Sequence, residues 1–155
     1  MGPIHDYFAA STDAEAAATI TQDGGPGSAE PGSGERIFDT VAVSGIDPII
    51  QLGMLEELMT GRSFDDVMAD PRTGNSVAMT QDGERMVLTL NDNLHAALAR
   101  ATANQLAAVT GPWSQAEVAG GTAGAPELSA FLHDLAALAA RSKKRDERLY
   151  CWVSL

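Results

Sequence analysis

The sequence predicts an α+β fold: one domain over residues 1–155, with a mainly antiparallel or mixed sheet of about five strands packed against three or four helices. Three observations carry that expectation. The 155 residues and their 45% apolar share suffice for one core at the usual size of a single domain. Aromatic residues make up only 5% of the chain, so an aliphatic core of small, closely packed side chains is expected, which favours helices against a sheet. Strand-like runs flank Asp82-Gly83, while helical spacing of leucines dominates 126–144, so both periods are present in separate segments.

Taken in order, Ile4 to Ala10 reads as a short strand. Thr12-Asp13-Ala14-Glu15 then forms a capping box that opens a peripheral, alanine-rich helix to about Ile20. Residues 23–34, DGGPGSAEPGSG, hold five glycines and two prolines and predict a mobile loop. A phosphate-binding loop would need G-x-x-x-x-G-K-[ST], and the stretch has neither that pattern nor a lysine. IFDTVAVS at 37–44 is a β-branched strand that Gly45 ends. Asp47 as N-cap and Pro48 at the first helical position start a core helix, which runs to Thr60 and stops at Gly61. Apolar residues surround most of it and leave a narrow polar stripe at Gln51, Glu56 and Glu57.

From Ser63 to Asn75 the sequence predicts an irregular connection with turns at Asp70-Pro71 and Gly74. Asp82-Gly83, between the strands 76–81 and 84–90, predicts a two-residue type I′ hairpin. Asn91 or Asp92 caps the next helix, and Thr102-x-x-Gln105 offers a second capping box, so 92–109 is one bent helix or two short ones. Gly111-Pro112 ends that segment, and Trp113 opens a Gly-rich loop to 125. Pro126-Glu127 starts the most amphipathic helix, with Leu128, Phe131, Leu132, Leu135, Leu138 and Ala139 on one face. Residues 148–155 are apolar on both faces, which predicts a strand inside the sheet rather than at its edge.

The net charge of −11 narrows the function. Five of the ten basic residues fall in 141–155, so the remainder of the chain is strongly acidic. Such a body repels nucleic-acid phosphate and anionic membranes, so no direct nucleic-acid binding and no membrane contact are expected. The expected partner is another protein, and a homo-oligomer is left open. Asp65, Asp66 and Asp70 form a modest acidic group, a candidate for protein contact whose spacing does not fit a calcium loop. Trp113, following Gly111-Pro112, reads either as a binding anchor or as a lid over the core. Arg141, Lys143, Lys144 and Arg145 are a candidate anion or partner contact, or else complement the dipole at a helix end.

Catalytic and metal patterns are missing from the sequence. His5, His95 and His133 lie far apart without metal-ligand spacing, so no metal and no cofactor are predicted, and surface or boundary positions are expected for His95 and His133. Cys151 sits in an apolar run and reads as core packing. No nucleophile elbow or paired carboxylates occur, so catalysis is the weaker reading. The first residues lack the basic start and apolar run of a signal peptide, and no stretch approaches the ~20 apolar residues of a membrane span. A cytoplasmic location is expected.

Tyr7-Phe8, then Gly45-Ile46-Asp47-Pro48 leading to Leu58-Met59-Thr60-Gly61, then a closing helix and strand, resemble in outline the YfbM-like family of uncharacterised bacterial proteins. Arg148 to Val153, RLYCWV, resembles hypothetical proteins of GC-rich actinobacteria. Neither resemblance implies a ligand or an activity. Composition and charge favour a non-catalytic, intracellular protein-binding domain of inhibitor or immunity type. The alternatives are a small enzyme or ligand-binding domain whose site is assembled from sequence-distant residues, and an acidic nucleic-acid mimic.

Overall fold

Strands β1 (Ile4–Ala10), β2 (Thr40–Ser44), β3 (Ser76–Met79), β4 (Arg85–Thr89) and β5 (Arg148–Ser154) form one antiparallel sheet in the order β2-β1-β5-β4-β3. The structure, a computed structural model, describes residues 3–28, 32, 36–116 and 125–155. Its helices are α1 (Asp13–Ala17), followed by a 3-10 turn at Ala18–Thr21, then α2 (Ile50–Thr60), α3 (Phe64–Ala69), α4 (Asp92–Arg100), α5 (Ala103–Gln115) and α6 (Ala125–Lys144). This is the α+β arrangement the sequence predicts, with short α3 added and 92–109 resolved into two helices.

Side chains alternate across each strand, so β1 and β5 feed two cores at once. Tyr7, Ala9, Leu149, Cys151 and Val153 point to the front, where Leu52, Leu55, Leu98, Leu132 and Leu135 from the helices pack on them. Phe8, Ala10, Tyr150 and Trp152 point to the back, against Ala16, Phe38 and Val87. Both strands are buried on both faces, which is why the apolar 148–154 segment lies at the centre of the sheet. The first helix is more than peripheral: α1 and its 3-10 turn cover the back face, with Trp152 Nε1 donating to Thr19 O at 3.1 Å.

Local signals place several boundaries. Thr12 accepts from Glu15 N at 3.0 Å, while Glu15 reaches back to Ser11 N at 3.1 Å. Asp47 Oδ1 accepts from Ile49 N and Ile50 N at 2.8 and 2.7 Å, so it caps α2 although regular helix begins at Ile50. Gly61 stops that helix in the left-handed region at φ 75°. Asn91 caps α4 through Leu94 N at 2.7 Å, and the Thr102 and Gln105 capping box opens α5. Gly25, at φ 84°, lets the chain pass over β1 where a Cβ would run into the Asp6 carboxylate.

Several expectations are corrected. Two of the three residues in the polar stripe of α2 point inward: Gln51 and Glu56 are buried, while Glu57 is exposed as expected and Ile50 and Leu58 are exposed as well. Glu56 is wholly buried and accepts from Asn91 Nδ2 (2.6 Å), Asn93 Nδ2 (2.8 Å) and Arg62 Nη1 (3.1 Å), partners from other segments that satisfy its charge. The stretch after Ser63 is helical at 64–69, because Ser63 Oγ caps it through Asp66 N at 3.1 Å. α5 runs through Gly111-Pro112 to Gln115, and Trp113 lies inside it. The strand expected at 37–44 begins at Thr40, since Phe38 N donates to Pro26 O at 2.7 Å.

The hairpin exists, but its loop is not the two-residue type I′. That turn needs positive φ at both central residues, and only Gly83 has it. Asp82 instead accepts from Thr80 Oγ1 (2.6 Å) and Glu84 N (3.0 Å), and the longer loop closes where Thr80 N donates to Arg85 O. The glycine-rich loops are described in part. Residues 23–28 pack on the back face, where Gln22 Nε2 ties Ser28 O to Arg36 O at 3.1 Å each. Residues 29–31, 33–34 and 117–124 of the two predicted loops lie outside the described residues.

Candidate functional site

The pairing of Ala10 with Arg148 and the packing of α4 on α6 bring three distant segments to one end of the sheet. Between them lies an open cleft of about 640 Å³. Ser11, Thr12 and Asp13 form one wall, Asp92 and His95 a second, and Lys143, Asp146, Glu147, Arg148 and Tyr150 the third.

His95 is only 3% exposed, not the surface residue the sequence suggested. The position is buried because α4 turns this side toward α6, where Nε2 lies 2.8 Å from Ser142 Oγ and 3.2 Å from Ala139 O. Ser142 Oγ donates to the same carbonyl at 3.0 Å. A carbonyl can only accept, so the arrangement that satisfies all three groups has Nε2 protonated and Nδ1 as the acceptor. Nδ1 has no hydrogen-bond partner among the described residues. Burial lowers the His95 pKa, against the pull of the Ala139 carbonyl, and Lys143 and Arg148 act in the same direction as burial. The ring is neutral at pH 7.

Asp13 closes the opposite wall. It accepts from Tyr150 OH at 2.6 Å and from Arg72 Nη1 and Nη2 at 3.1 and 3.2 Å. Those bonds, with Arg72 first, hold its carboxyl below the usual range. Tyr150 is pushed up to about 12, mainly by burial and then by Asp13. Arg148 reaches Asp92 at 3.2 Å, and Glu147 accepts from Arg145 Nε at 2.8 Å.

Asp146 is different. It occupies a left-handed conformation at φ 56°, the only described non-glycine residue to do so. Its N–H donates to Lys143 O and that of Glu147 to Ser142 O, which is the hydrogen-bond pattern of a Schellman cap on α6. Glycine is the unstrained choice there, yet the chain places an exposed carboxylate with no ion pair among the described residues at the cleft mouth.

The chemistry available is limited. Ser142 lies beside His95 but is fully buried, and its proton is directed at Ala139 O, so the pair is not a nucleophile and base facing a substrate. Cys151 is buried on the front face, where burial pushes its thiol well above the ordinary range. Among the described residues no three His, Cys, Asp or Glu side chains gather closely enough to hold a metal ion. The lining of the cleft offers charged and hydrogen-bonding side chains.

The residues singled out from sequence distribute unevenly. Asp65 and Asp66 are exposed in the first turn of α3, and Asp70 is tied to Arg62 at 3.1 Å; none lines the cleft. Trp113 lies in helix α5 rather than a loop, and its position agrees with a lid over the core rather than a binding anchor: it is 3% exposed and donates from Nε1 to Gln51 O at 2.9 Å. Arg141 and Arg145 pair with Asp39, and only Lys143 of the basic cluster lines the cleft; Lys144 is exposed without an ion pair among the described residues. Asp146 and Tyr150 were not marked by the sequence; Asp92 was named only as an alternative helix cap, a role that Asn91 takes, and His95 only as a surface or boundary residue.

A second, more apolar groove of about 300 Å³ lies between α2, α4 and α5, lined by Leu58, Met59, Ala97 and Val109 with Arg100 at its rim. Comparisons with protein-family models, with curated proteins and with solved structures return no match. Among the described residues no helix is long and apolar enough to cross a membrane. Fold and site together define a small α+β domain with a polar cleft at one end of its sheet.

Proposed function

We propose that this chain is a non-catalytic, cytoplasmic binding domain, of inhibitor or immunity type, that takes a basic segment of another protein into the cleft between α1, α4 and α6. The observation that carries this reading is the mouth of the cleft: Asp13 and Glu147 are occupied by Arg72 and Arg145, whereas Asp92 is exposed with one contact to Arg148 and Asp146 is an exposed carboxylate with no ion pair among the described residues. Its placement of Asp146 in a conformation that favours glycine supports the same reading, because a carboxylate is kept there against a conformational cost of roughly 1 kcal/mol. A net charge of −11 steers a basic partner toward such a surface.

The test is capture from the native cell lysate with two baits, the wild type and Asp92→Asn/Asp146→Asn. The expected result is a protein held by the wild type at ~50 mM salt, released at ~300 mM as the charges are screened, and not held by the double variant. A protein held equally by both baits sinks the reading.

A second reading, a small-ligand site, is favoured by the cleft volume of about 640 Å³ and by His95 Nδ1, which has no hydrogen-bond partner among the described residues. Titration of the purified protein with small polar metabolites, followed through the His95 ring signals by NMR, separates the two. Saturable shifts at millimolar or lower concentration support the ligand site.

A further inference from the structure

The two outer strands of the sheet are finished differently. At one edge β3 is four residues long and shifts register between Ser76 and Ala78, a bulge that disrupts further pairing. At the other edge β2, Thr40-Val41-Ala42-Val43-Ser44, has no charge, no proline and no bulge. Nothing in its sequence discourages another strand.

The register identifies which groups are free. Ala9 N donates to Asp39 O at 3.2 Å, so residues 39, 41 and 43 bond inward to β1. Thr40, Ala42 and Ser44 therefore turn their N–H and C=O outward, and these have no backbone partner among the described residues. Further along the same edge, Phe38 N is taken by Pro26 O, so the open stretch is confined to 40–44.

We propose that this edge is closed by a second copy of the chain, β2 pairing antiparallel with β2 about a two-fold axis at Ala42. That register sets Thr40 opposite Ser44, Val41 opposite Val43 and Ala42 opposite itself, so the outward groups are all used and one ten-stranded sheet results. The flanking helix fits the same axis. A groove of about 320 Å³ beside β2 is lined by Asp134, Ala137 and Arg141 of α6. Arg141 is fixed near the start of β2 by Asp39, at 2.8 and 3.0 Å, so Asp134 lies toward its other end. A two-fold at Ala42 then brings Asp134 of each copy to Arg141 of the other, with the small Ala137 where the helices come closest. Charge and strand register share one symmetry.

Sedimentation equilibrium across a concentration series tests this, with far-UV circular dichroism to confirm folding. The wild type is expected to dimerise at micromolar concentration. Ala42→Pro removes an outward N–H and none of the bonds to β1, so it should be folded and monomeric. Asp134→Arg, on the helix surface, places like charges across the axis and should weaken association about tenfold without touching the strand. A wild type that stays monomeric to millimolar concentration overturns the proposal. So does a folded Ala42→Pro that still dimerises, and if that variant does not fold, an Asp134→Arg dimer of unchanged affinity does the same.

Discussion

The two faces of the sheet are held by different physics. The front is a thick aliphatic layer, in which Leu52, Leu55, Leu98, Leu132, Leu135 and Leu138 are almost wholly removed from water. The back has a thin cover, α1 with its 3-10 turn and the segments around Gly25 and Phe38. There three arginines lie over aromatic rings: Arg36 over Phe38 at 4.5 Å, Arg85 over Trp152 at 5.0 Å and Arg72 by Tyr150 at 5.8 Å. Each is also paired with an acid of that cover, Glu15, Asp23 and Asp13 respectively. Flat rings capped by guanidinium groups close a face with few residues, which is how one short helix covers half of a sheet.

The comparison can be broken by substitution. Leu135→Ala on the front should cost about 3 kcal/mol, within the roughly 2–5 kcal/mol range for emptying a filled core site, read as a shift in urea unfolding. Arg85→Met on the back keeps the stem and loses the stack and the half-exposed ion pair, and should cost about 1 kcal/mol. A larger loss from Arg85→Met would contradict the division. At ~1 M salt, with a screening length of roughly 3 Å, the Arg85→Met penalty should shrink while that of Leu135→Ala stays as it was.

pH separates the faces next. His5 and His95, both on the front, have pKa values lowered by burial from 6.5. A His with a depressed folded pKa is protonated first in the unfolded chain, so its contribution is complete above pH 6.5 and is lost as pH falls toward the folded value. Asp13 on the back is lowered from 3.8 by Arg72 and Tyr150, so its contribution is present above pH 3.8 and disappears only as pH falls further. The melting temperature should therefore decline in two separate windows, and His95→Gln should flatten the upper one. The smallest effect expected is a gain: Asp146→Gly relieves a left-handed residue and should stabilise by roughly 0.5–1 kcal/mol in thermal unfolding.

The front was more legible in the sequence than the back. The leucine spacing of α6, the caps at Asn91 and Thr102 and the stop at Gly61 are local signals, and each falls where the residues around it place it. The orientation of α2 was not legible, because Glu56 is buried by Asn91, Asn93 and Arg62, which no helical period in residues 50–60 can report. Nor was the length of α5. Proline in a helix interior costs about 3 kcal/mol in isolation, and here the buried Trp113 and its bond to Gln51 hold the last turn. The back depends on Arg72 meeting residues 13 and 150, contacts without any spacing rule. The cleft is the extreme case, since the β1–β5 register and the α4–α6 packing gather its walls from three parts of the chain.

That cleft is the centre of the functional account, and its carboxylates are what a partner would read. The most direct measurement is the side-by-side capture with wild type and Asp92→Asn/Asp146→Asn, both shown to be folded and compared at low and raised salt. The account predicts a partner retained by the wild type alone and released as salt is added. Equal retention by the two proteins, with no response to salt, would contradict it.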